Sequence, residues 1–224
     1  IVPIIIIMFT IYAVFGMYMP FQILKHPGVS WDLFINSMYF PEEGIFGVTL
    51  WIVSTVVFHF VLFGVLAQRM GLGQFFVDIA TVIAGRYTGG LAKVSVVSSA
   101  FFGTISGSSI ANTVSTGSLT IPNMKKSGYP GHFAGGVEAA ASAGGQITPP
   151  IMGAAAFVMA EFLAIPYTTI ILAALVPSIM HYVGVISIVH FKAKRLGLKG
   201  LPASEIPKLW DVVRRGWPTA IPLV

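Results

Sequence analysis

The chain has 224 residues, a mean hydropathy of +0.85 and a charged fraction of only 9%, against about a quarter in soluble globular domains. That composition excludes a soluble enzyme. The net charge of +5 does not indicate a nucleic-acid partner, because the basic residues sit in short loops beside apolar runs, where they set membrane orientation. With no cysteine, the chain has no disulfides, thiolate metal sites or Cys nucleophiles.

The apolar residues gather into runs that approach or exceed the roughly 20 helical residues needed to cross a bilayer core of about 30 Å. The first expected span covers residues 1–19, which lack the basic start and cleavage pattern of a signal peptide. Turn signals follow at His26-Pro27-Gly28 and at Phe40-Pro41-Glu42-Glu43-Gly44. A second span is expected over 45–68, about 36 Å as a helix. Residues 74–85 form a shorter apolar segment that carries Asp78, expected to be interfacial or partly buried.

Residues 93–124 are apolar enough for a membrane but are broken by Gly103-Thr104-Ile105-Ser106-Gly107-Ser108-Ser109. Basic residues flank the stretch at both ends, so it reads as a hairpin that enters and leaves on one face. Residues 132–165 form another span, interrupted at Gly144-Gly145-Gln146-Ile147-Thr148-Pro149-Pro150. A regular span runs over 167–191, and a basic linker over 192–215 leads to the start of a further helix. With that linker cytoplasmic and the hairpin re-entrant, Arg69, Arg86, Lys93, Lys125 and Lys126 all fall inside, leaving Lys25 as the outside cation. This satisfies the positive-inside rule, whereas a full crossing by 93–124 splits the basic loops between the two sides. The expected organisation is scaffold-type helices and an interfacial helix over 1–92, a transport-type region over 93–165, and helix, linker and helix start over 166–224. An apolar run resumes near Pro222-Leu223-Val224, so the chain reads as an excerpt of a longer polypeptide.

Broken helices are tolerated in a membrane only where they are buried in protein or line a wet cavity. At the first break, the hydroxyls of Thr104, Ser106, Ser108 and Ser109 and the freed carbonyls offer neutral oxygens, and the half-helix ends add fixed partial charges. Asn112 lies one turn beyond Ser108 and can reach back to the tip. At the second break, Gly144 and Gly145 permit unusual dihedrals, Pro149 and Pro150 forbid continuing helix bonds, and Gln146 and Thr148 add oxygens. Two interrupted segments near one midplane point to a transporter binding site for a small hard cation and an anionic group. A single Ser or Gly here carries no more than close helix packing; the run from Gly103 to Ser109 followed by Asn112 exceeds it.

Glu138 falls within a span, where a carboxylate is a functional candidate by default; the alternative is a pair with Lys125 or Lys126 near the cytoplasmic end. His59, His181 and His190 lack metal-ligand spacing and read as hydrogen-bonding groups between helices. Trp31 and Trp51 read as interface anchors, and Phe75-Phe76 as a membrane-facing surface. An intramembrane serine hydrolase needs an activated nucleophile with a base in reach. The tip reads Gly-Thr-Ile-Ser-Gly rather than G-x-S-x-G, and the histidines lie in other spans, so no enzyme is expected.

The run Phe101-Phe102-Gly103-Thr104-Ile105-Ser106-Gly107-Ser108-Ser109-Ile110-Ala111-Asn112 resembles the hairpin signature of the large membrane subunit of TRAP transporters, the tripartite ATP-independent periplasmic carriers. The runs from Ser118 to Pro130 and from Gly135 to Phe157, with Phe40-Pro41-Glu42-Glu43-Gly44-Ile45-Phe46-Gly47, resemble its fused-permease branch, and the resemblance extends from about Tyr39 to Trp217. It implies an all-α polytopic fold, half of an inverted-repeat elevator transporter, in the bacterial inner membrane. It implies Na⁺ as coupling ion, with H⁺ as the alternative. It also implies a periplasmic substrate-binding protein, a small membrane subunit or its fused equivalent, and a small organic anion, such as a carboxylate, as cargo. The Na⁺ and substrate site carried over is Ser106, Gly107, Ser108, Asn112, Gly145, Gln146 and Thr148, with Thr104, Ser109 and Glu138 as further candidates. The rival reading is an ion-coupled elevator-type dicarboxylate carrier working without a binding protein.

Overall fold

The computed structural model describes residues 1–40 and 44–220. The expected turn at Pro41-Glu42-Glu43 and the apolar run at Pro222 lie outside the described residues. All regular structure within them is helical, and the chain divides into two compact units, Ile1–Ser54 and Thr55–Val224.

In the first unit, helix α1 (Val2–Phe15) is continued by a 3-10 turn at Gly16–Tyr18. It exposes Ile4, Ile6, Ile7 and Phe9, the surface of a helix made for an apolar surrounding. Its far end is fastened by His26, whose Nε2 lies 3.0 Å from Tyr12 O while Gly28 N donates to its Nδ1 at 3.1 Å. Helix α2 (Trp31–Tyr39) starts at Ser30, whose hydroxyl accepts from Leu33 N at 3.3 Å. Helix α3 (Val48–Ile52) follows, and Val53–Val57 is wound as π-helix. Trp31 and Trp51 are both exposed.

The second unit begins with α4 (Phe58–Arg69) and α5 (Leu72–Ala84). Helix α5 buries Leu72, Phe76, Ala80 and Ala84, a stripe at four-residue spacing, against α6 (Gly90–Ser106). Residues 74–85 are thus partly buried. The expectation that Phe75-Phe76 faces lipid fails for Phe76, which is buried, with its ring tilted against Phe101 at 5.8 Å and edge-on to Phe102 at 6.5 Å. Position on the i, i+4 stripe outweighs the outward signal of an aromatic pair. Helix α7 (Ser109–Lys126) returns antiparallel to α6, forming the helical hairpin. Helix α8 (Gly131–Gly144), the 3-10 turn Gly145–Ile147 and α9 (Ala154–Phe162) make up the interrupted element.

Helix α10 (Tyr167–Arg195) has 29 residues, about 44 Å of rise, and carries Lys192, Lys194 and Arg195 in its last turn. By length and composition, Val48–Leu66 and Tyr167–Arg195 can cross a membrane; only 11% and 22% of their apolar windows are buried, leaving wide apolar faces outward. Helix α11 (Leu209–Ala220) occupies part of the expected linker, because Val212 and Gly216 fall one turn apart and pack against α5. A core of Ala92, Val96, Met124, Val137, Ala141 and Val189 joins α6, α7, α8 and α10. Tyr129, in the loop before α8, closes its lower end; burial pushes its phenol up to about 12, so it stays a neutral donor near Gly89 O.

Candidate functional site

The hairpin turns on two residues. Gly107 holds φ +56°, and a Cβ there would lie 1.9 Å from Met152 O, so both conformation and space require glycine. Ser108 then caps α7, its hydroxyl accepting from Ala111 N at 3.3 Å. The second break docks onto this tip through backbone and side-chain bonds. Ile151 N donates to Thr104 O at 3.4 Å, and Gln146 Nε2 donates to Ser109 Oγ at 3.1 Å. Behind the tip, Gly103 and Gly145 cross so closely that a Cβ on Gly103 would stand 2.6 Å from Gly145 Cα. Small residues at this crossing let two interrupted elements share one level.

Between them lies a cavity of about 440 Å³. Its polar lining comes from Ser106, Gly107, Ser108 and Gln146, and its apolar wall from Phe60, Val61 and Phe157. The C-terminus of α6 and the N-termini of α7 and α9 all end at its lining, which places helix ends of opposite partial charge around it. Ser106 is 8% exposed, and its Oγ is a buried side-chain oxygen without a hydrogen-bond partner among the described residues. Burying a hydroxyl unpaired is costly.

The expected site residues separate into three groups. Ser106, Gly107, Ser108 and Gln146 meet at the cavity, with Ser109 bonded to Gln146. Thr104, Asn112, Gly145 and Thr148 build the frame. Thr104 Oγ1 donates to Phe101 O at 2.7 Å, and Asn112 Nδ2 donates to Ser99 O at 2.8 Å. Thr148 Oγ1 donates to Gly144 O at 2.6 Å and stands 3.2 Å from the hydroxyls of Tyr182 and Ser178 on α10. Glu138 lies apart from the cavity, fully buried among the hydroxyls of α6, α7 and α8, and it is not paired with Lys125 or Lys126, which are exposed.

Sequence reasoning missed the loop Ile151-Met152-Gly153, whose members line the cavity and whose Met152 holds φ 58°. It also missed the partners of Glu138, although Ser95/Ser99, Asn112/Thr116/Thr120 and Glu138/Ser142 are legible as polar residues at i, i+4. The histidines join helices at His181 (Nε2 to Ala140 O, 3.0 Å) and His190 (Nδ1 accepting from Lys93 Nζ, 3.0 Å), whereas His59 bonds Thr55 O within its own helix. Among the described residues no histidine stands as a base beside a serine.

Interrupted helices meeting around an oxygen-bearing cavity define the class of carriers built on discontinuous helices. The chain belongs to the family described as "Tripartite ATP-independent periplasmic transporter, DctM component", whose family model matches residues 1–224. It is similar to a putative TRAP transporter large permease protein of Haemophilus influenzae, 27% identical over 74% of this chain and 38% of that protein. It is also similar to the C4-dicarboxylate TRAP transporter large permease protein DctM of Pseudomonas aeruginosa, 30% identical over 69% of this chain and 38% of that protein. The sialic acid TRAP transporter permease protein SiaT of Haemophilus influenzae matches at 24% identity over 88% of this chain and 33% of that protein. The chain thus spans well under half the length of these relatives. The family is one of membrane transporters, not enzymes.

Proposed function

We propose that this chain supplies one tip-and-break half of the transport site in a Na⁺-coupled TRAP permease of the bacterial inner membrane. On this reading the complete permease imports small organic anions, carboxylates above all, delivered by a periplasmic binding protein. It works beside a small membrane subunit or a fused equivalent. The observation that carries the reading is the unpaired, buried Ser106 Oγ at the cavity between tip and break. Together with the side-chain oxygens of Ser108 and Gln146 it forms a neutral oxygen set, the kind that suits a hard monovalent cation. The hairpin arms α6 and α7 both end at Gly107-Ser108, which supports a re-entrant path over a full crossing. Relatives named for C4-dicarboxylates and sialic acid, both carboxylates, support an anionic cargo.

The test is uptake of a panel of labelled organic acids by the complete permease in proteoliposomes, under an imposed Na⁺ gradient, with and without candidate binding proteins. Uptake that needs both Na⁺ and a binding protein is the expected result. Na⁺-driven uptake indifferent to every binding protein would replace this reading with a direct elevator carrier. Uptake indifferent to Na⁺ would remove Na⁺ from the tip.

A further inference from the structure

The base of the hairpin and the end of α10 carry a cluster of cations that the transport cavity does not use. It is built around the ring of Tyr87, in the loop between α5 and α6. The Arg86 guanidinium carbon lies 5.0 Å from the ring centroid and Lys93 Nζ 5.7 Å from it, while Arg86 Nη2 donates to the Tyr87 hydroxyl at 3.0 Å. Lys93 reaches across to α10, where its Nζ lies 3.0 Å from His190 Nδ1. Lys194, one turn beyond His190, acts electrostatically on both. Arg195 follows it in the same last turn. Three elements distant in sequence thus bring their cations to one place.

The partners described for Arg86 and Lys93 are an aromatic ring, a phenol and an imidazole, and none among the described residues is a carboxylate. The ring face attracts the cations but carries no charge that would neutralise them. Like charges held together in this way repel and favour an anion between them. Arg86, Tyr87, Lys194 and Arg195 are exposed and Lys93 is half-buried, so an anion can reach them.

The surface beside the cluster narrows the choice of anion. Ile188 and Phe191 stand exposed on α10, and Arg195 lies one turn beyond Phe191 as Lys194 does beyond His190. This side of the helix therefore passes from apolar to cationic within one turn, about 5.4 Å. A soluble anion meets the cations and leaves the apolar face bare. A zwitterionic lipid covers the face but brings its own cation into the cluster. A lipid of net negative charge uses both surfaces, in the manner of basic pockets at membrane-helix ends. We propose that the hairpin base and the end of α10 form a binding site for an anionic phospholipid. Its phosphodiester lies among Arg86, Lys93 and Lys194, and its acyl chains run along Ile188 and Phe191. One headgroup held there ties the loop before α6 to the last turn of α10.

The test uses the complete permease with its own cysteines replaced and Ile188→Cys carrying a fluorescent label, reconstituted in phosphatidylcholine vesicles. Brominated phosphatidylglycerol or, in parallel, brominated phosphatidylcholine is added in increasing mole fraction, and quenching reports which lipid lies against α10. Half-maximal quenching is expected at a mole fraction of the anionic lipid at least roughly fivefold lower, about fivefold for each cation that the headgroup meets. Arg86→Gln/Lys194→Gln, which changes two exposed side chains outside the cavity lining, should bring the two lipids level. Should that variant misfold, Lys194→Gln alone should narrow the preference by roughly fivefold. Arg69→Gln, at the end of α4, should keep it, as should soluble glycerol phosphate added at constant ionic strength. Equal quenching by both lipids in the unmodified protein overturns the proposal, as does a preference retained without Arg86 and Lys194. A preference lost equally in Arg69→Gln traces it to the general positive field and overturns the site. Displacement by glycerol phosphate overturns the lipid assignment in favour of a soluble phosphate.

Discussion

Replacing Ser106 by alanine separates stability from ion binding, because the two effects have opposite signs. In the absence of Na⁺ the Ser106 hydroxyl is buried without a partner, a state that costs about 1–3 kcal/mol. Alanine removes that oxygen, leaves the surrounding backbone unchanged and is the better helix former at the end of α6. Ser106→Ala should therefore stabilise the Na⁺-free permease by about 1–3 kcal/mol, before any relaxation of the cavity. Saturating Na⁺ stabilises a protein in proportion to RT ln(1 + [Na⁺]/Kd), so a tenfold loss of affinity takes about 1.4 kcal/mol from that increment. The assay is thermal unfolding of purified protein in Na⁺ against choline at constant ionic strength. The variant's midpoint should be higher in choline and should rise less on adding Na⁺. A variant that is less stable in choline, or that keeps the full Na⁺ increment, refutes the assignment of Ser106 as an ion ligand.

Other substitutions probe the frame. Gly103→Val places branched carbon where even a Cβ would be 2.6 Å from Gly145 Cα; membrane insertion should persist while counterflow is abolished, checked by labelled-substrate exchange. Asn112→Ala removes the bond to Ser99 O and opens a void in a fully buried place, so it should destabilise by about 1–3 kcal/mol in chemical unfolding. Tyr167→Phe removes the phenol donor to Pro150 and Ile151 carbonyls and should lower the thermal midpoint modestly, by about 0.5–1.5 kcal/mol of stability. This chain holds no cysteine of its own, so single cysteines are introduced into a complete permease whose other cysteines, where present, are first replaced. Arg86→Cys, Lys126→Cys and Arg195→Cys should label from the same face of inverted and right-side-out vesicles. Labelling of Arg86→Cys and Lys126→Cys from opposite faces would convert the hairpin into a crossing.

The sequence alone determined the helical membrane class and both interruptions. Those features are local: an apolar run long enough to span needs no partner, and glycine at Gly107 or proline at Pro149 breaks a helix wherever it packs. The aromatic pair at Phe75-Phe76 was misread because its outward signal says nothing about which face of α5 meets α6. Only the tertiary structure decided which oxygens are free. Ser106, Asn112 and Thr148 look alike in sequence as polar residues near a break. Packing hands Asn112 to Ser99 O and Thr148 to Gly144 O, and leaves Ser106 without a partner. Glu138 shows the same division. Its place in a span was legible, and so were the i, i+4 hydroxyl pairs on α6 and α7. That these pairs point at one carboxylate depends on how the three helices are rotated about their axes, and that rotation is set by contacts between residues distant in sequence.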